Sequence, residues 1–444
     1  MLIPAFRFYL FLLLGSAIAL IFAIFFNLSL GIEMILIFDS ILLGIAIFDG
    51  LRMKRDRIEI KRDLIPHLSI GRDNAIVLSI TSKNQATEIC IKDKYPLEFD
   101  VSSSQLETFI DQNSSQNITY TVNPKQRGEY QWGNIQIRQL SPWRLVWYDW
   151  QITANQTVKV YPDLIALKEL SLRLTLENTG SLPKNRRLGM GTEFAELREY
   201  RLGDDPRFID WKATARRSRP VVRILDPEKE QTVIILLDRG RLMTAQVQGL
   251  KRFDWGLNAT LSLTLAGLNR GDRVGIGVFD REVITWIPPE RGQHQLSKLI
   301  ERLTPLQPVL LEPDYVGAVT QLVNQQTRRA LVVLITDIID STASTELLSA
   351  LARLTPRYLP FCVTLRDTQI DKIAHPTNVS LTKVRQGEIT QAYEQAVALD
   401  LLTQRQIAFG KLKQKGVLVL DAPANLIRQK LVDQYLQLKA RNLL

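Results

Sequence analysis

The sequence predicts a multi-domain chain with a transmembrane helical hairpin, an antiparallel β-sandwich and an α/β domain with a mainly parallel sheet. Three patterns predict this order. Two long apolar runs stand near the N-terminus, short alternating runs with turn signals follow, and apolar strands then alternate with helices of ten or more residues. A length of 444 residues is enough for several domains.

The composition indicates a globular protein in a reducing compartment. Hydrophobic residues make up 45% of the chain and charged residues 23%, which excludes wholesale disorder. The two cysteines, Cys90 and Cys362, fall in different predicted domains and give no disulfide framework. Three scattered histidines are too few for a histidine-based metal site. The net charge of +10 fits anionic lipid, nucleic acid or an acidic protein partner.

The membrane anchor is assigned to residues 1–55. Phe8–Phe26 carries no charge, and Met34–Phe48 is a second apolar run interrupted by Asp39 and Ser40, so the two runs predict a helical hairpin. A basic cluster follows at once: Arg52, Lys54, Arg55, Arg57, Lys61 and Arg62. By the positive-inside rule, the soluble parts are expected on the cytoplasmic side of the inner (plasma) membrane.

Two alternatives remain open in the anchor. The alternative interpretation of the first run is a cleavable signal peptide, although no small-x-small cleavage site follows it and a second apolar run does. Asp39 is either a functional carboxyl group or a neutral one that is hydrogen-bonded across the hairpin or to a second copy, and we favour the neutral interpretation.

Residues 56–162 are assigned to the β-sandwich because short alternating runs recur at a spacing of about ten residues. Examples are Ala75–Ile80, Glu88–Ile91, Ile118–Val122 and Asn134–Arg138. The run SPWRLVWYDW at Ser141–Trp150 holds three tryptophans, which we interpret as core or a domain junction rather than a ligand platform.

The segment 163–230 is interpreted as a linker followed by a run in which arginines and carboxylates alternate. Bidentate pairs between them would hold irregular backbone in a fixed shape. We expect a salt-bridged collar between domains or a recognition surface for an acidic protein, and we disfavour nucleic acid because acidic residues are mixed throughout and no nucleic-acid motif is present. The candidate signature and interaction residues are Glu193, Arg198, Tyr200, Gly203, Asp204, Arg207, Asp210, Trp211, Lys212 and Arg216.

The α/β domain is assigned to residues 231–444. Strand Thr232–Leu237 ends in Asp238 and strand Ala330–Thr336 ends in Asp337. Function in parallel sheets gathers at the carboxyl ends of strands, so these two aspartates mark the candidate site. No glycine-rich turn follows the first strand and no phosphate-binding G-x-x-x-x-G-K-[ST] occurs, which excludes the usual nucleotide-binding motifs.

The run GTEFAELREYRLGDDPRFIDWKATAR at Gly191–Arg216, followed by a strand that ends in aspartate, resembles the signature of the DUF58 family. The resemblance implies a bacterial protein with two N-terminal spans, a β-sandwich and a von Willebrand factor A-like domain. It also implies association with MoxR-type AAA ATPases in an adaptor or assembly role.

In von Willebrand factor A domains an Asp-x-Ser-x-Ser loop, a threonine and a second aspartate hold a divalent cation, usually Mg²⁺. By this resemblance Asp238 and Asp337 take the two aspartate positions, whereas Gly240, Leu242 and Pro313 take the serine and threonine positions. The chain therefore has a degenerate metal site, in which Mg²⁺ would be weakly held. The alternative is that both aspartates accept hydrogen bonds from neighbouring loop amides.

The expected function is that of a membrane-anchored scaffold or adaptor, which docks a protein partner, a MoxR-type AAA ATPase, on its von Willebrand factor A-like domain. No catalysis is expected, because no Ser/His/Asp constellation, H-E-x-x-H motif or glycine-flanked serine is visible. The alternative is a metal-dependent hydrolase acting near Asp238 and Asp337. The oligomeric state is left open.

Overall fold

The structure is a computed structural model, and it describes residues 1–25, 28–54, 56–83, 85–180, 193–201, 204–226, 230–338, 344–376, 387–441 and 443. The chain divides into two compact units, Met1–Tyr161 and Pro162–Leu444.

The first unit contains two apolar helices, α1 (Phe6–Phe25) and α2 (Leu28–Met53), both long and apolar enough to cross a membrane. α2 extends beyond the apolar run Met34–Phe48 at both ends, from Leu28 to Met53. A helix satisfies its backbone N–H and C=O groups by its own hydrogen bonds, which apolar surroundings cannot do. The 26 residues of α2 span about 39 Å, which exceeds the hydrocarbon thickness of a bilayer.

The two helices approach each other closely at Gly31. A side-chain Cβ at this position would stand 2.7 Å from the Cβ of Ala23 and 2.9 Å from the carbonyl oxygen of Ala19. Small residues of this kind let helix backbones pack together in a membrane. Asp39 lies half-buried in α2, and its Oδ1 has no hydrogen-bond partner among the residues that the structure describes. The predicted hydrogen bond across the hairpin is therefore not seen at this oxygen.

Among the residues of this unit that the structure describes, twelve strands form three sheets. They are β1 (Leu2–Pro4), β2 (Glu59–Asp63), β3 (His67–Ser69), β4 (Asn74–Thr81), β5 (Thr87–Asp93), β6 (Phe99–Val101), β7 (Leu106–Ile110), β8 (Ser115–Pro124), β9 (Gly128–Trp132), β10 (Ile135–Leu140), β11 (Val146–Ile152) and β12 (Gln156–Tyr161). The strand orders are β1-β11-β10-β5-β7, β2-β4-β8-β6 and β3-β12-β9. The predicted antiparallel sheets are confirmed, although β3 and β12 pair in parallel.

Alternation places one face of each strand in the core. In β4, Ile76, Leu78 and Ile80 are fully buried while their neighbours are not. The tryptophan that fills this core is Trp132, which is 1% exposed. The predicted Ser141–Trp150 cluster lies elsewhere: Trp143 is 48% exposed, and the other two of its tryptophans are half-buried on β11.

A buried ion pair stands in the core beside Trp132. Arg62 donates from Nε and Nη2 to the two carboxylate oxygens of Asp93, at 3.0 and 2.6 Å. The hydroxyl of Tyr120 donates to Asp93 at 2.6 Å and the indole of Trp132 donates to it at 3.2 Å. Every oxygen of this buried carboxylate is thus satisfied, which is the condition for a buried charge to be tolerated.

The first strand ties the start of α1 to the sheet. β1 pairs antiparallel with β11, with Leu2 opposite Tyr148, and the amide of Ala5 donates to the carbonyl of Leu145 at 2.8 Å. The sequence did not predict β1, because a strand of three residues carries no detectable period. Since α2 leads directly into β2, both open ends of the helix pair lie on the side of the sheets.

The second unit begins with α3 (Leu164–Gly180) and contains the remaining elements. They are β13 (Glu193–Glu199), α4 (Trp211–Arg217), β14 (Val221–Asp226), β15 (Thr232–Asp238), β16 (Gln246–Val247), β17 (Leu250–Lys251), α5 (Arg252–Asn269), β18 (Arg273–Phe279), β19 (Val283–Glu290), α6 (Gln293–Leu303), α7 (Tyr315–Gln325), β20 (Leu331–Thr336), α8 (Thr345–Leu354), β21 (Leu359–Arg366), α9 (Thr368–Ala374), α10 (Gly387–Gln414), β22 (Leu418–Pro423) and α11 (Ile427–Ala440).

A six-stranded sheet with order β19-β18-β15-β20-β21-β22 organises this unit, and only β19 is antiparallel to its neighbour. Both faces of the sheet are apolar. Val233, Ile235 and Leu237 pack on one face with α5, α6 and α11, whereas Ile234 and Leu236 pack on the other with α7, α8 and α10. The predicted mainly parallel sheet with helices is confirmed.

The two predicted strands that end at the candidate aspartates are confirmed to within one residue. The predicted strand Thr232–Leu237 is β15, which also includes Asp238, and the predicted strand Ala330–Thr336 is β20, which begins at Leu331. The ends of elements shift by a residue or two because they depend on hydrogen bonding and capping as well as on the periodic pattern.

Candidate functional site

The first predicted site residue, Asp238, stands at the end of the central strand β15 and is fully buried. Its Oδ1 accepts the backbone amide of Gly240 at 2.7 Å. Its Oδ2 accepts the hydroxyls of Thr336 and Tyr315 at 2.7 and 3.1 Å. β20 supplies Thr336 and the first residue of α7 is Tyr315, so three elements converge on one carboxylate.

Burial governs the protonation of Asp238. Loss of solvation raises the pKa of Asp238 to about 6, against the hydrogen bonds from Thr336, Gly240 and Tyr315, which lower it. Burial and the charge of Asp238 in turn raise the pKa of the Tyr315 hydroxyl well above its ordinary value. The tyrosine hydroxyl therefore stays protonated at neutral pH and donates its hydrogen bond to Asp238.

The second predicted site residue, Asp337, directly follows β20 and lies between two arginines. Arg252 Nη1 is 2.6 Å from its Oδ2, and Arg405 Nη1 is 2.7 Å from its Oδ1. The amide of Ile338 also donates to Oδ1 at 2.9 Å. All three side chains are nearly buried, with side-chain exposures of 2% for Asp337, 13% for Arg252 and 10% for Arg405.

Arg405 joins this site to the next strands of the sheet. Its Nη2 donates to Asp421 Oδ1 at 2.9 Å, and its guanidinium also donates to the carbonyls of Ile338 and Leu365. Burial opposes the charge of this arginine, but the carboxylates of Asp337 and Asp421 prevail and raise its pKa above the ordinary value. We call Asp337, Asp421, Arg252 and Arg405 the strand-end cluster.

The three positions that replace the expected metal ligands have other roles. Gly240 donates its amide to Asp238, and a Cβ there would lie 2.8 Å from the carbonyl oxygen of Leu311 and 2.9 Å from Pro313 Cδ. A serine at this position would thus require the neighbouring loop to move. Leu242 lies in a short 3₁₀ turn, Arg241–Thr244, and offers no oxygen from its side chain.

These residues do not fit a divalent cation. Both oxygens of Asp238 already accept hydrogen bonds, and each oxygen of Asp337 faces a guanidinium whose positive charge repels a second cation. Within the part of the chain that the structure describes, no group of three or more His, Cys, Asp or Glu side chains is arranged to hold a metal ion. Mg²⁺ prefers several oxygen ligands with near-octahedral geometry.

Sequence reasoning missed four of the residues that build this site: Arg252, Tyr315, Arg405 and Asp421. They come from α5, α7, α10 and β22, and no local motif surrounds any of them. The available signal was weak: Asp421 follows the pattern of an acidic residue near a strand end, as do Asp238 and Asp337. The arginines reach the site from helices, where a single basic residue looks like an ordinary solvated one.

The predicted signature residues form a separate structure, the signature hairpin, which we define as Glu193–Asp226. β13 and β14 pair antiparallel, and α4 lies between them in sequence. The predicted irregular backbone is wrong at the two ends of the run: the alternation Phe194–Leu197 and the run Val221–Leu225 favour strand pairing, which satisfies the backbone without side-chain help.

Within the signature hairpin the charged side chains pair with near neighbours. Arg198 bonds Asp204 at 2.8 Å, and Arg207 bonds Asp205 at 2.6 Å. The backbone amide of Arg201, followed by the side chain of Arg198, lowers the pKa of Asp204. The side chain of Arg207 lowers the pKa of Asp205. None of the hydrogen bonds and ion pairs described for these side chains reaches Asp238 or Asp337, so the predicted signature and metal residues are two groups.

The remaining signature residues are placed as follows. Asp210 caps α4 by accepting the amide of Ala213 at 3.0 Å and pairs with Arg223 at 2.7 Å. Trp211 begins the helix and is 72% exposed, and Lys212 and Arg216 are exposed on the same helix. The Tyr200 amide donates to the carbonyl of Pro220. Gly203 and the side chain of Glu193 lie outside the described residues.

Residues 196–401 match the family model described as "Protein of unknown function DUF58". This segment is a little under half of the chain, and over it the chain is similar to the DUF58 family. The resemblance that the Gly191–Arg216 run predicts is confirmed, and the DUF58 segment contains Asp238, Asp337 and most of the signature hairpin.

Curated relatives give the family no further activity. Uncharacterized proteins of Mycobacterium tuberculosis (strain ATCC 25618 / H37Rv) and of Mycobacterium bovis (strain ATCC BAA-935 / AF2122/97) are each 29% identical to the DUF58 chain over 151 residues. These residues are 34% of this chain and 48% of each relative. The chain thus spans about half the length of the curated relatives it matches.

Two solved structures resemble part of the DUF58 chain. A conserved hypothetical protein, BatB from Bacteroides thetaiotaomicron, is 17% identical with a TM-score of 0.30, over 48% of this chain and 99% of BatB. An aerotolerance-related membrane protein from Bacteroides fragilis is 15% identical with a TM-score of 0.30, over 47% of this chain and 98% of that protein.

Proposed function

We propose that this DUF58 protein is a non-catalytic, membrane-anchored adaptor, whose α/β domain is of the von Willebrand factor A type and docks a protein partner at the carboxyl ends of its parallel strands. The partner that the family resemblance implies is a MoxR-type AAA ATPase. The two apolar helices hold the adaptor in the membrane, and the exposed basic residues Arg52, Lys54 and Arg57 support a cytoplasmic position for the sheets.

The observation that carries the proposal is that hydrogen bonds and ion pairs within the protein already occupy the carboxylates of Asp238 and Asp337. Asp337 is held by Arg252 and Arg405, and Asp238 by hydroxyl and amide donors, so each carboxylate is already used structurally. A general base needs a free oxygen within hydrogen-bond reach of a substrate. The arrangement therefore supports a rigid platform rather than a reaction centre.

Side chains suitable for recognition stand beside this closed centre. Leu310 is 77% exposed in the loop whose next residue, Leu311, accepts the amide of Arg241 at 2.8 Å. Arg241 and Glu312 form an exposed ion pair at 2.6 Å. An apolar side chain surrounded by charged neighbours is a common centre for a protein interface. We call Arg241, Leu310 and Glu312 the strand-end rim.

The alternative function, a metal-dependent hydrolase, would need a cation between Asp238 and Asp337. The guanidinium groups on Asp337 oppose it, and the hydroxyl donors on Asp238 compete with it. Calorimetry of the full chain in detergent tests this directly. We expect no heat of Mg²⁺ binding; a saturable heat that disappears in Asp238→Ala would favour the hydrolase and overturn the closed-site argument.

The adaptor is tested by titrating the purified DUF58 protein in detergent with a purified MoxR-type ATPase. We expect saturable binding that Leu310→Asp weakens by about tenfold or more, because a buried anchor side chain contributes over 1.4 kcal/mol to an interface. The matched control is Leu172→Asp on α3, where the leucine is 60% exposed and far in sequence from the rim. Equal losses in both variants, or no binding by wild type, would contradict the proposal.

A further inference from the structure

The first unit contains a groove beside its two apolar helices, and the adaptor function does not use this groove. It has a volume of about 390 Å³ and lies between α1, α2 and the turn that joins β10 to β11. Its lining is apolar with one exception, the guanidinium of Arg7. Its lining includes Arg7, Phe11, Phe38, Ile45, Trp143 and Leu145.

The mouth of the groove is fixed to the sheets. The amide of Ala5, just before α1, donates to the carbonyl of Leu145 at 2.8 Å, and the ring of Trp143 lies 6.2 Å from that of Phe48. Trp143 is nevertheless half exposed. Trp143 lies in the turn between β10 and β11, beside the last turns of α2, and tryptophan next to the end of a helix that can span a bilayer is typical of the headgroup level.

The groove continues from this mouth along the helices. Phe11 follows Arg7 by one helical turn, and Phe38 precedes Ile45 by two turns, which is about 10 Å along α2. The charged end thus lies at the interface, and the apolar end reaches into the depth at which hydrocarbon chains begin. A ligand that fits it has an anionic head and an apolar tail.

Arg7 is an unusual residue for this place. It is exposed in the first turn of a helix, where the backbone dipole adds to its positive charge. No carboxylate among the described residues forms an ion pair with it, so its guanidinium is available to an anion that enters the groove. Phosphate oxygens are well suited to a guanidinium fork.

We propose that this groove is a binding site for one phospholipid with a net negative headgroup. The lipid phosphate is held by Arg7, and an acyl chain lies against Phe11, Phe38 and Ile45. The occupant is a lipid rather than a protein helix because the groove opens from two helices that are long and apolar enough to span a bilayer. The lipid site does not depend on the adaptor function, and either proposal can be wrong while the other is right.

Native mass spectrometry of the full chain in detergent tests the site, with phosphatidylglycerol and phosphatidylcholine of identical acyl chains added in competition. We expect wild type to retain phosphatidylglycerol about fivefold better, which corresponds to one favourable basic residue near a charged lipid surface. Arg7→Gln should bring the two lipids to equal retention. Arg52→Gln, at the exposed end of α2 outside the groove lining, should leave the preference unchanged.

The apolar part of the groove has its own matched pair of variants. Ile45→Trp fills the lining and should reduce retention of both lipids, whereas Ile47→Trp changes an equally exposed side chain of α2 outside the lining and should not. The site is wrong if Arg7→Gln and Arg52→Gln behave alike, or if Ile45→Trp retains lipid as well as Ile47→Trp does.

Fluorescence gives a second measurement that does not depend on recovery of a lipid complex. Phosphatidylglycerol brominated on its acyl chain should quench the tryptophan emission of wild type more than brominated phosphatidylcholine does. This extra quenching should vanish in Trp143→Phe, because Trp143 lines the groove. Extra quenching that persists in Trp143→Phe would place the lipid elsewhere and overturn the proposal.

Discussion

Two parts of the second unit hold arginines against carboxylates, and they do so in opposite surroundings. In the signature hairpin, the Arg207–Asp205 pair has side-chain exposures of 84% and 36%. In the strand-end cluster, the Arg405–Asp337 pair has exposures of 10% and 2%. The distances differ little, at 2.6 and 2.7 Å, so the surroundings and not the geometry distinguish the two pairs.

The difference teaches where charge matters for stability. Solvent screens an exposed pair, which therefore contributes little, whereas removal of one partner from a buried pair leaves an uncompensated charge in a poorly solvating interior. The segment with the densest charge in the sequence is thus not the segment whose ion pairs the fold depends on. The members of the strand-end cluster come from the residue after β20, from β22, from α5 and from α10, so the cluster fixes these two helices to the sheet.

The largest expected effect is that of Arg405→Ala. The variant leaves Asp421 with the more distant guanidinium of Arg366, at 3.9 Å, and Asp337 with only Arg252. Because Arg405 is the close partner of both carboxylates, we expect a loss of about 3 to 5 kcal/mol in the free energy of unfolding. Denaturant unfolding of the full chain in detergent measures it. Arg207→Ala is the matched control on the signature hairpin and should leave the unfolding midpoint unchanged. Equal effects of the two variants would break the comparison.

The next effect is a pH dependence at Asp238. Its pKa is raised to about 6, so the folded protein holds the proton more tightly than the unfolded chain does. This contribution to stability is fully present below the unfolded pKa of about 4 and is lost as the pH rises through about 6. Asp238→Asn removes the titration.

We therefore expect the thermal midpoint of Asp238→Asn to rise relative to that of wild type by about 5 °C between pH 4 and pH 8. Differential scanning fluorimetry at a series of pH values measures the gap between the two proteins. A gap that is independent of pH would show that Asp238 keeps an ordinary pKa in the folded state.

The smallest measurable effect is expected for Asp210→Ala, which removes the helix cap of α4 and the partner of Arg223. A lost cap on an exposed helix should lower the midpoint by about 2 °C. Asp210→Asn keeps an acceptor for the Ala213 amide and should recover most of this loss. If Asp210→Ala matched Arg405→Ala, the signature hairpin would be more than a surface structure.

The fold followed from the sequence because its signals are local. Strands such as Thr232–Leu237 and helices such as Gln293–Leu303 can be predicted from the spacing and the number of their apolar residues. The site followed only in part. Asp238 and Asp337 were found because they end strands, but Arg252 and Arg405 meet Asp337 across sequence separations of many tens of residues. Nothing in the pattern around an arginine in a helix tells which carboxylate it will meet.

The pairing of β1 with β11 has a consequence for synthesis and for the preparation of fragments. Met1 donates to the carbonyl of Asp149, 148 positions away, so on the ribosome β1 waits on the order of 10 s for its partner strand. During this time α1 and α2 have already emerged. A soluble fragment that begins after Met53 would lack β1 and leave β11 as an open sheet edge, and open edges promote aggregation. The helices thus carry with them the strand that closes the sheet.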